Sequence, residues 1–504
     1  MNEADTEIIK AILTKENFTF VSREDDADII MLNTCAIREN AHRKVYGRIH
    51  DIRHRRGLSV KNKFTPAGVN SPLIGILGCM ATNLRTELFE NRGLKIDFIA
   101  GPDSYKKLPQ LIRQATETGE KAFDVTLSEF ETYSDIYPMR EKGVNPSTSN
   151  TSHGLQPVEV LPYLPVVMPR SSGNPKGRPL TPLPGPSALR ERSGGVGRVN
   201  AWISVMRGCN NFCTFCVVPY TRGRERSRSV ENIVDETKRL ADEGFKQVTL
   251  LGQNVNSYRH AENDFAALLE AVSKVNGIER IRFISPHPKD FPDRLLKVIV
   301  ENPKVCKHIH LPLQAGNNRV LDLMNRTYTR EEFLALVDKI RSLHPSIALT
   351  TDIIVGFPTE TAAEFADTVK VMKKVEFDSA FIFKYSERKG TIASKKYPDD
   401  VSDKEKTRRI MELNDLQRAI TFQKNQKHIS EVCAILIEEK ELKPSGYEWR
   451  GRTDGNKLVI FSAGDSVDYD QGDMARVKIT SATPHALKGV LAFQAALSTP
   501  PVLP

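Results

Sequence analysis

Short apolar runs alternate with amphipathic stretches along most of the 504 residues, and the period of that pattern predicts the elements. The chain opens on a helix with Ile8, Ile9, Ile12 and Leu13 on one face. Apolar runs of strand length follow at 28–34 and 73–78; each leads into a cysteine, Cys35 or Cys79, and then into a helix-compatible stretch. A third strand is expected over 96–100. Strand, loop and helix repeated in this way predict a parallel α/β domain over 1–125, with both cysteines at carboxyl ends of strands, where open sheets gather ligands. A buried free thiol is the alternative for each.

Six further strands are expected at 199–206, 247–252, 280–285, 308–311, 348–355 and 379–384, separated by amphipathic helices. Ile233, Val234, Thr237, Leu240 and Ala241 form one helical stripe, and Phe333, Leu336, Val337 and Ile340 another; both read as core packing. Six βα units with right-handed crossovers predict a partial (βα)6 barrel over 199–425, its functional loops at the carboxyl ends of the strands. After a helical connector at 404–424 the chain turns β-rich over 431–493, with a turn at 453–457. A third domain, 426–494, therefore reads as a small β-barrel, a type that often grips nucleic acid although the same size suits other modules. The pattern fails over 146–198, rich in Pro, Ser and Gly, which is expected to be a disordered insertion, either a linker extension or retained noncoding sequence. Residues 495–504 read as a loose tail.

Composition adds little: 39% hydrophobic and 27% charged residues are an ordinary globular mixture. Net charge is +9, which favours a polyanionic partner but also suits a basic housekeeping enzyme. No apolar run approaches the roughly 20 residues that span a bilayer, so no membrane partner is expected. Residues 1–10 resemble neither a signal nor a transit peptide. Of the seven cysteines three sit in one loop and the rest are widely spaced, which favours a reducing compartment, hence a cytoplasmic location, with a mitochondrial one open if a targeting segment precedes Met1.

The chemistry is concentrated in Cys209, Cys213 and Cys216, spaced by three residues and then two. Three thiolates can hold a four-iron cluster whose fourth iron stays open to a ligand, whereas structural zinc wants four protein ligands. A zinc knuckle completed by a distant His or Cys is the alternative. Arg207, Arg222, Arg224, Arg226 and Arg228 surround this loop and could take RNA phosphates; ion pairing with Glu225, Glu231 and their neighbours is the other reading.

Met206 to Cys209, Pro219 to Arg224, Leu250 to Val255, His310 to Gly316 and Thr351 to Pro358 resemble signatures of the methylthiotransferase family of radical S-adenosylmethionine enzymes. The likeness is strongest to its tRNA isopentenyl-adenosine branch. Asn33 to Glu39 and Leu77 to Ala81 resemble the family's amino-terminal cluster motifs, and the final barrel resembles its RNA-binding TRAM domain. The resemblance implies that Cys209, Cys213 and Cys216 ligate a radical-generating 4Fe-4S cluster, with Phe215 flanking the cofactor's adenine. It implies that Gly252, Gln253, Asn254, Gln314, Asp352 and Gly356 line the S-adenosylmethionine pocket, the glycines letting backbone approach the ligand. A second 4Fe-4S cluster at Cys35 and Cys79 would supply sulfur. The implied reaction places a methylthio group on carbon 2 of an adenosine beside the anticodon, with the tRNA anticodon stem-loop as partner and a flavodoxin or ferredoxin as electron donor.

The family's second cluster uses three cysteines, and the first lies just before a segment like Met1 to Glu7. Either the true start lies upstream or the sulfur-donating cluster is lost; Cys306 and Cys433 read as buried thiols rather than substitutes. A non-catalytic tRNA-binding protein, or a sister enzyme acting on threonylcarbamoyl adenosine or a ribosomal-protein aspartate, are the competing functions.

Overall fold

The computed structural model describes residues 1–21, 24–35, 39–55, 72–85, 87–91, 93–140, 163–167, 199–443, 446–462 and 469–492. The expected tail and most of the Pro-rich stretch lie outside the described residues.

The early apolar runs pair as buried parallel strands. Ile29–Asn33, fully buried, lies beside Leu73–Leu77, then Phe98–Ala100 and Ala122–Asp124. Asn33 stands opposite Leu77, so the chain leaves both strands at one edge, and the Thr34 N–H donates to the Leu77 carbonyl at 3.1 Å. Cys35 and Cys79, which begins the helix Cys79–Leu84, therefore emerge side by side. Helix Asn2–Lys15 buries Ile8, Ile9, Ile12 and Leu13 against the sheet, as its periodicity predicts, and buries Asp5 with them, which periodicity does not.

The expectation of disorder throughout 146–198 is corrected at Tyr163–Val167, which forms an antiparallel strand between Thr19–Phe20 and Ile29–Asn33, with Ile29 opposite Val166. The edge of the Ile29–Asn33 strand offers unpaired backbone groups, and a five-residue β-prone run satisfies them even inside a Pro-rich segment. Composition averaged over the whole segment hides so short a run.

The six core strands form two parallel three-stranded sheets: Arg280–Ile284, Gln247–Leu251 and Asn200–Ser204, then His308–His310, Ala348–Val355 and Ser379–Lys384. A bridge between Ile281 and Val305 joins the two into a partial barrel. Between strands, Ile233, Thr237 and Leu240 bury one stripe, and Phe333, Val337 and Ile340 the other. Thr329 and Thr361 start their helices with reciprocal capping boxes to Glu332 and Glu364, which satisfy backbone N–H groups left without helical partners. Among the described residues no helix is long and apolar enough to cross a membrane.

Helix Asp403–Gln426 leads into a closed five-stranded barrel of Val432–Lys443, Gly446–Arg452, Leu458–Ser462, Leu487–Leu491 and Met474–Ala482. It docks at the amino ends of the core strands, the end opposite the cysteine loop. Arg280 donates to the carbonyls of Arg452 and Ala434 at 2.6 and 2.9 Å, and Arg282 to those of Thr453 and Asp454 at 2.8 and 3.1 Å. Inside, buried Trp449 stacks on Phe461 at 5.9 Å and donates its indole N–H to the Tyr469 carbonyl. Trp449→Ala should therefore cost about 3–5 kcal/mol, read as an early unfolding transition of this barrel under denaturant.

Candidate active site

The cysteine loop follows the first core strand and is pinned from four directions. Gly208 has φ +81°, and a Cβ there would lie 1.9 Å from the Arg224 carbonyl oxygen, so this position must be glycine. Its N–H donates to Gln253 Oε1 at 2.6 Å. The Cys209 N–H donates to the Gly223 carbonyl at 3.1 Å, and Thr214 Oγ1 to the Leu323 carbonyl at 2.7 Å. Asn325 donates to the carbonyls of both Asn211 and Phe212 at 3.1 Å. Gly208→Ala should distort this loop and lower iron retained after anaerobic reconstitution several-fold, while thermal unfolding of the terminal barrel stays at the wild-type midpoint.

Burial pushes the Cys209 thiol up to about 11 and raises that of Cys216 too, so a metal that replaces their protons suits them. Beside Cys213, the buried guanidinium of Arg326 donates from Nη1 to Sγ at 3.3 Å and from Nη2 to the Pro312 carbonyl at 3.3 Å. A buried cation against sulfur favours an anionic metal-sulfur group.

The second cysteine pair stands on the other side of the same wall. Cys79 is buried against Val217, the residue after Cys216, and helix Cys79–Leu84 packs on Val218–Arg222. Arg222 Nε donates to Cys79 Sγ at 3.1 Å, and its Nη2 to Asp5 Oδ2 at 2.7 Å. Arg207 Nη2 donates to Asp5 Oδ1 at 2.6 Å. Burial pushes the Asp5 carboxyl up, but the two guanidinium charges outweigh it and hold it below its ordinary range. Among the described residues, Arg207 Nε and Nη1 and Arg222 Nη1 are buried with no hydrogen-bond partner. Two guanidinium groups against one carboxylate leave positive charge and orphaned donors beside Cys79, an environment that fits an anionic cluster there.

The expected cofactor-pocket residues gather at the carboxyl ends of the strands in two different roles. Asn254 is buried and donates to Asp290 Oδ2 at 3.0 Å, and its own Oδ1 has no partner among the described residues. Gln314 has φ +68° and pairs by backbone with Ile353, and its Oε1 is likewise buried and without a partner among the described residues. Asp352, half-buried, faces His310 Nε2 at 3.2 Å. Two orphaned acceptors near a carboxylate suit the ammonium and hydroxyl donors of S-adenosylmethionine. Phe215, half-buried, packs against the barrel core beside the cysteines. Gly252 and Gly356 follow directly on their strands, and the lack of a side chain there makes room for neighbouring protein. A Cβ would meet Met206 at 2.7 Å at the first and Lys406 at 2.4 Å at the second, so protein already fills both spaces.

The RNA-facing role expected of Arg222, Arg226 and Arg228 is corrected as well. Their side chains are 3%, 6% and 7% exposed and pair with Asp5 and Asp103, both distant in sequence, and with Glu236 on the helix that follows Arg228. Burial of a guanidinium demands a carboxylate, and the tertiary fold supplies one to each. Arg207 is 1% exposed and paired with Asp5, so of the five arginines expected to meet RNA Arg224 alone is exposed. Sequence reasoning also missed Arg326, Asn325 and Asp5, for which spacing gives no signal.

Residues 203–372 match the radical SAM superfamily model, and residues 1–101 match the model described as uncharacterized protein family UPF0004. A tRNA-2-methylthio-N(6)-dimethylallyladenosine synthase of Prosthecochloris aestuarii is 41% identical, over 97% of this chain and 95% of that protein. Proteins of the same name from Phocaeicola vulgatus and Chloroherpeton thalassium are 39% and 40% identical, over 98% and 97% of this chain and 94% and 93% of theirs. The radical S-adenosylmethionine methyltransferase TsrM of Kitasatospora setae superposes with a TM-score of 0.46 at 15% identity, over 72% of this chain and 65% of that one. With a trio of thiols at the mouth of a partial barrel and relatives matched over nearly their whole length, the chain belongs to the tRNA-2-methylthio-N(6)-dimethylallyladenosine synthase family of radical SAM methylthiotransferases.

Proposed function

We propose that this chain places a methylthio group on carbon 2 of N6-isopentenyladenosine beside the anticodon of tRNA. The observation that supports this reading is the contact of buried Cys79 with Val217, the residue after Cys216, which would bring the two clusters close together. Cys209, Cys213 and Cys216 would hold one 4Fe-4S cluster, and Cys35 and Cys79 would contribute to a second. When bound, the first cluster and S-adenosylmethionine supply a radical able to attack an aromatic carbon, and the second cluster supplies sulfur. The protein's part is positional. Gln253 and Asn325 hold the loop backbone, and Arg326 and Arg222 each give a hydrogen bond to a ligand sulfur. Asn254 Oδ1 and Gln314 Oε1 accept from the cofactor's polar groups, and Asp352 steadies its charged end. Arg224 contributes a surface cation toward RNA phosphate. No nicotinamide fingerprint is evident in the sequence, which supports an external flavodoxin or ferredoxin as reductant.

The second reading, tRNA binding without sulfur insertion, is favoured by one observation: the described residues bring two thiols, Cys35 and Cys79, to the second site. Iron and sulfide counts after anaerobic reconstitution, followed by nucleoside mass spectrometry of treated tRNA, separate the two. Two clusters and a 2-methylthio product support the enzyme; bound tRNA left unmodified supports the second reading. Parallel assays on threonylcarbamoyl adenosine and on a ribosomal-protein aspartate peptide test the substrate.

A further inference from the structure

The outer face of the cysteine loop carries an aromatic and guanidinium surface that metal binding does not require. Phe212, between Cys209 and Cys213, sits at φ +46°, a conformation costly for a bulky residue and held here by the two hydrogen bonds from Asn325. That turn sets its ring 4.5 Å from the Arg224 guanidinium and 6.1 Å from the Tyr220 ring, edge to face at 83°. Tyr220 is 39% exposed and Arg224 is exposed, so the group opens to solvent beside the candidate catalytic loop. The neighbouring Arg207, Arg222, Arg226 and Arg228 each pair with a buried acid. Arg224 makes no ion pair among the described residues and rests on an aromatic ring instead. A guanidinium backed by a ring keeps its second face and its N–H edge available, the first for stacking and the second for a phosphate.

We propose that Phe212, Tyr220 and Arg224 form a stacking platform for one unpaired RNA base next to the nucleotide being modified, with Arg224 also holding that base's phosphate. The proposal rests on the RNA reading of the site given above and names the surface that orients the substrate. The occupant follows from the chemistry. Every base has a π face, so aromatic and guanidinium planes take bases with little sequence preference, and an uncompensated cation in the same group selects a strand with phosphates over a neutral ring. The net charge of +9 agrees with a polyanionic partner.

The test uses the full chain and a stem-loop RNA with 2-aminopurine beside the target adenosine, binding being followed by anisotropy and base fluorescence at several salt concentrations. Tyr220→Ala and Arg224→Ala should each weaken binding by about 5- to 150-fold and restore 2-aminopurine fluorescence that the wild-type protein quenches. Tyr220→Phe should bind as wild type. Arg224→Lys should keep the salt dependence but lose part of the quenching, whereas Arg224→Ala should flatten the salt slope by about one phosphate contact. Matched iron-sulfur absorption across the variants marks these losses as stacking rather than misfolding. If the wild type binds and quenches while Tyr220→Ala and Arg224→Ala do so within twofold of it, the platform is overturned and the RNA reading stands. If the wild type binds the stem-loop no better than a plain duplex, the RNA reading falls and takes the platform with it.

Discussion

Replacing Asp5 with Ala should lower the unfolding free energy of the full chain by about 3–5 kcal/mol, the range for removing one partner of a buried ion pair. Asp5 is fully buried and holds Arg207 at 2.6 Å and Arg222 at 2.7 Å, tying the opening helix to both flanks of the cysteine loop. Without it, two buried guanidinium groups face each other with no counter-charge. The size of the loss comes from that exposed repulsion and desolvation rather than from the strength of the pair itself. Asp5→Ala combined with Arg207→Met and Arg222→Met should therefore recover most of the stability, though not the hydrogen bond to Cys79. The pH dependence has a definite sign. The folded Asp5 carboxyl is held below its unfolded value of about 3.9, so its contribution is complete above that pH and fades only as pH falls through the lower folded value. Denaturant titrations at neutral pH measure the effect; a loss below about 1 kcal/mol would mean that water reaches the junction.

Cys213→Ala should abolish S-adenosylmethionine cleavage and remove one cluster's iron from the reconstituted protein. Of the three loop cysteines it is the buried one, and Arg326 gives its sulfur a hydrogen bond. Two remaining thiolates hold a four-iron cluster poorly, and the loss of Sγ also leaves Arg326 with one fewer acceptor. The apolar truncation removes a single sulfur atom, so stability without metal should fall by no more than about 1–2 kcal/mol. Iron analysis, release of 5′-deoxyadenosine under reduction, and thermal unfolding of the metal-free protein separate these effects. Intact cleavage by this variant would show that the loop trio is not the radical site.

Much of the fold was legible because its signals are local. Strand runs bounded by turns, helical stripes such as Phe333, Val337 and Ile340, and the β-rich end are patterns within a few residues of one another, and the structure reproduces them. The run Tyr163–Val167 escaped because its order comes from the edge of a distant strand rather than from its own surroundings. The crowding around two glycines was hidden for a related reason. Gly252 and Gly356 do lie at strand ends, but what crowds them, Met206 and Lys406, depends on packing between elements.

The arginines around the cysteine loop mark the division most clearly. Cysteine spacing, the order of βα units and the density of cations beside the loop can all be read along the chain, because they are properties of neighbouring residues. Which cations meet Asp5, Asp103 and Glu236 in the interior, and that Arg224 stays outside with Phe212, follow from the packing of separate elements. A guanidinium can be buried only where a carboxylate or carbonyl arrives to meet it, and that arrival joins residues separated by as many as 217 positions in the chain.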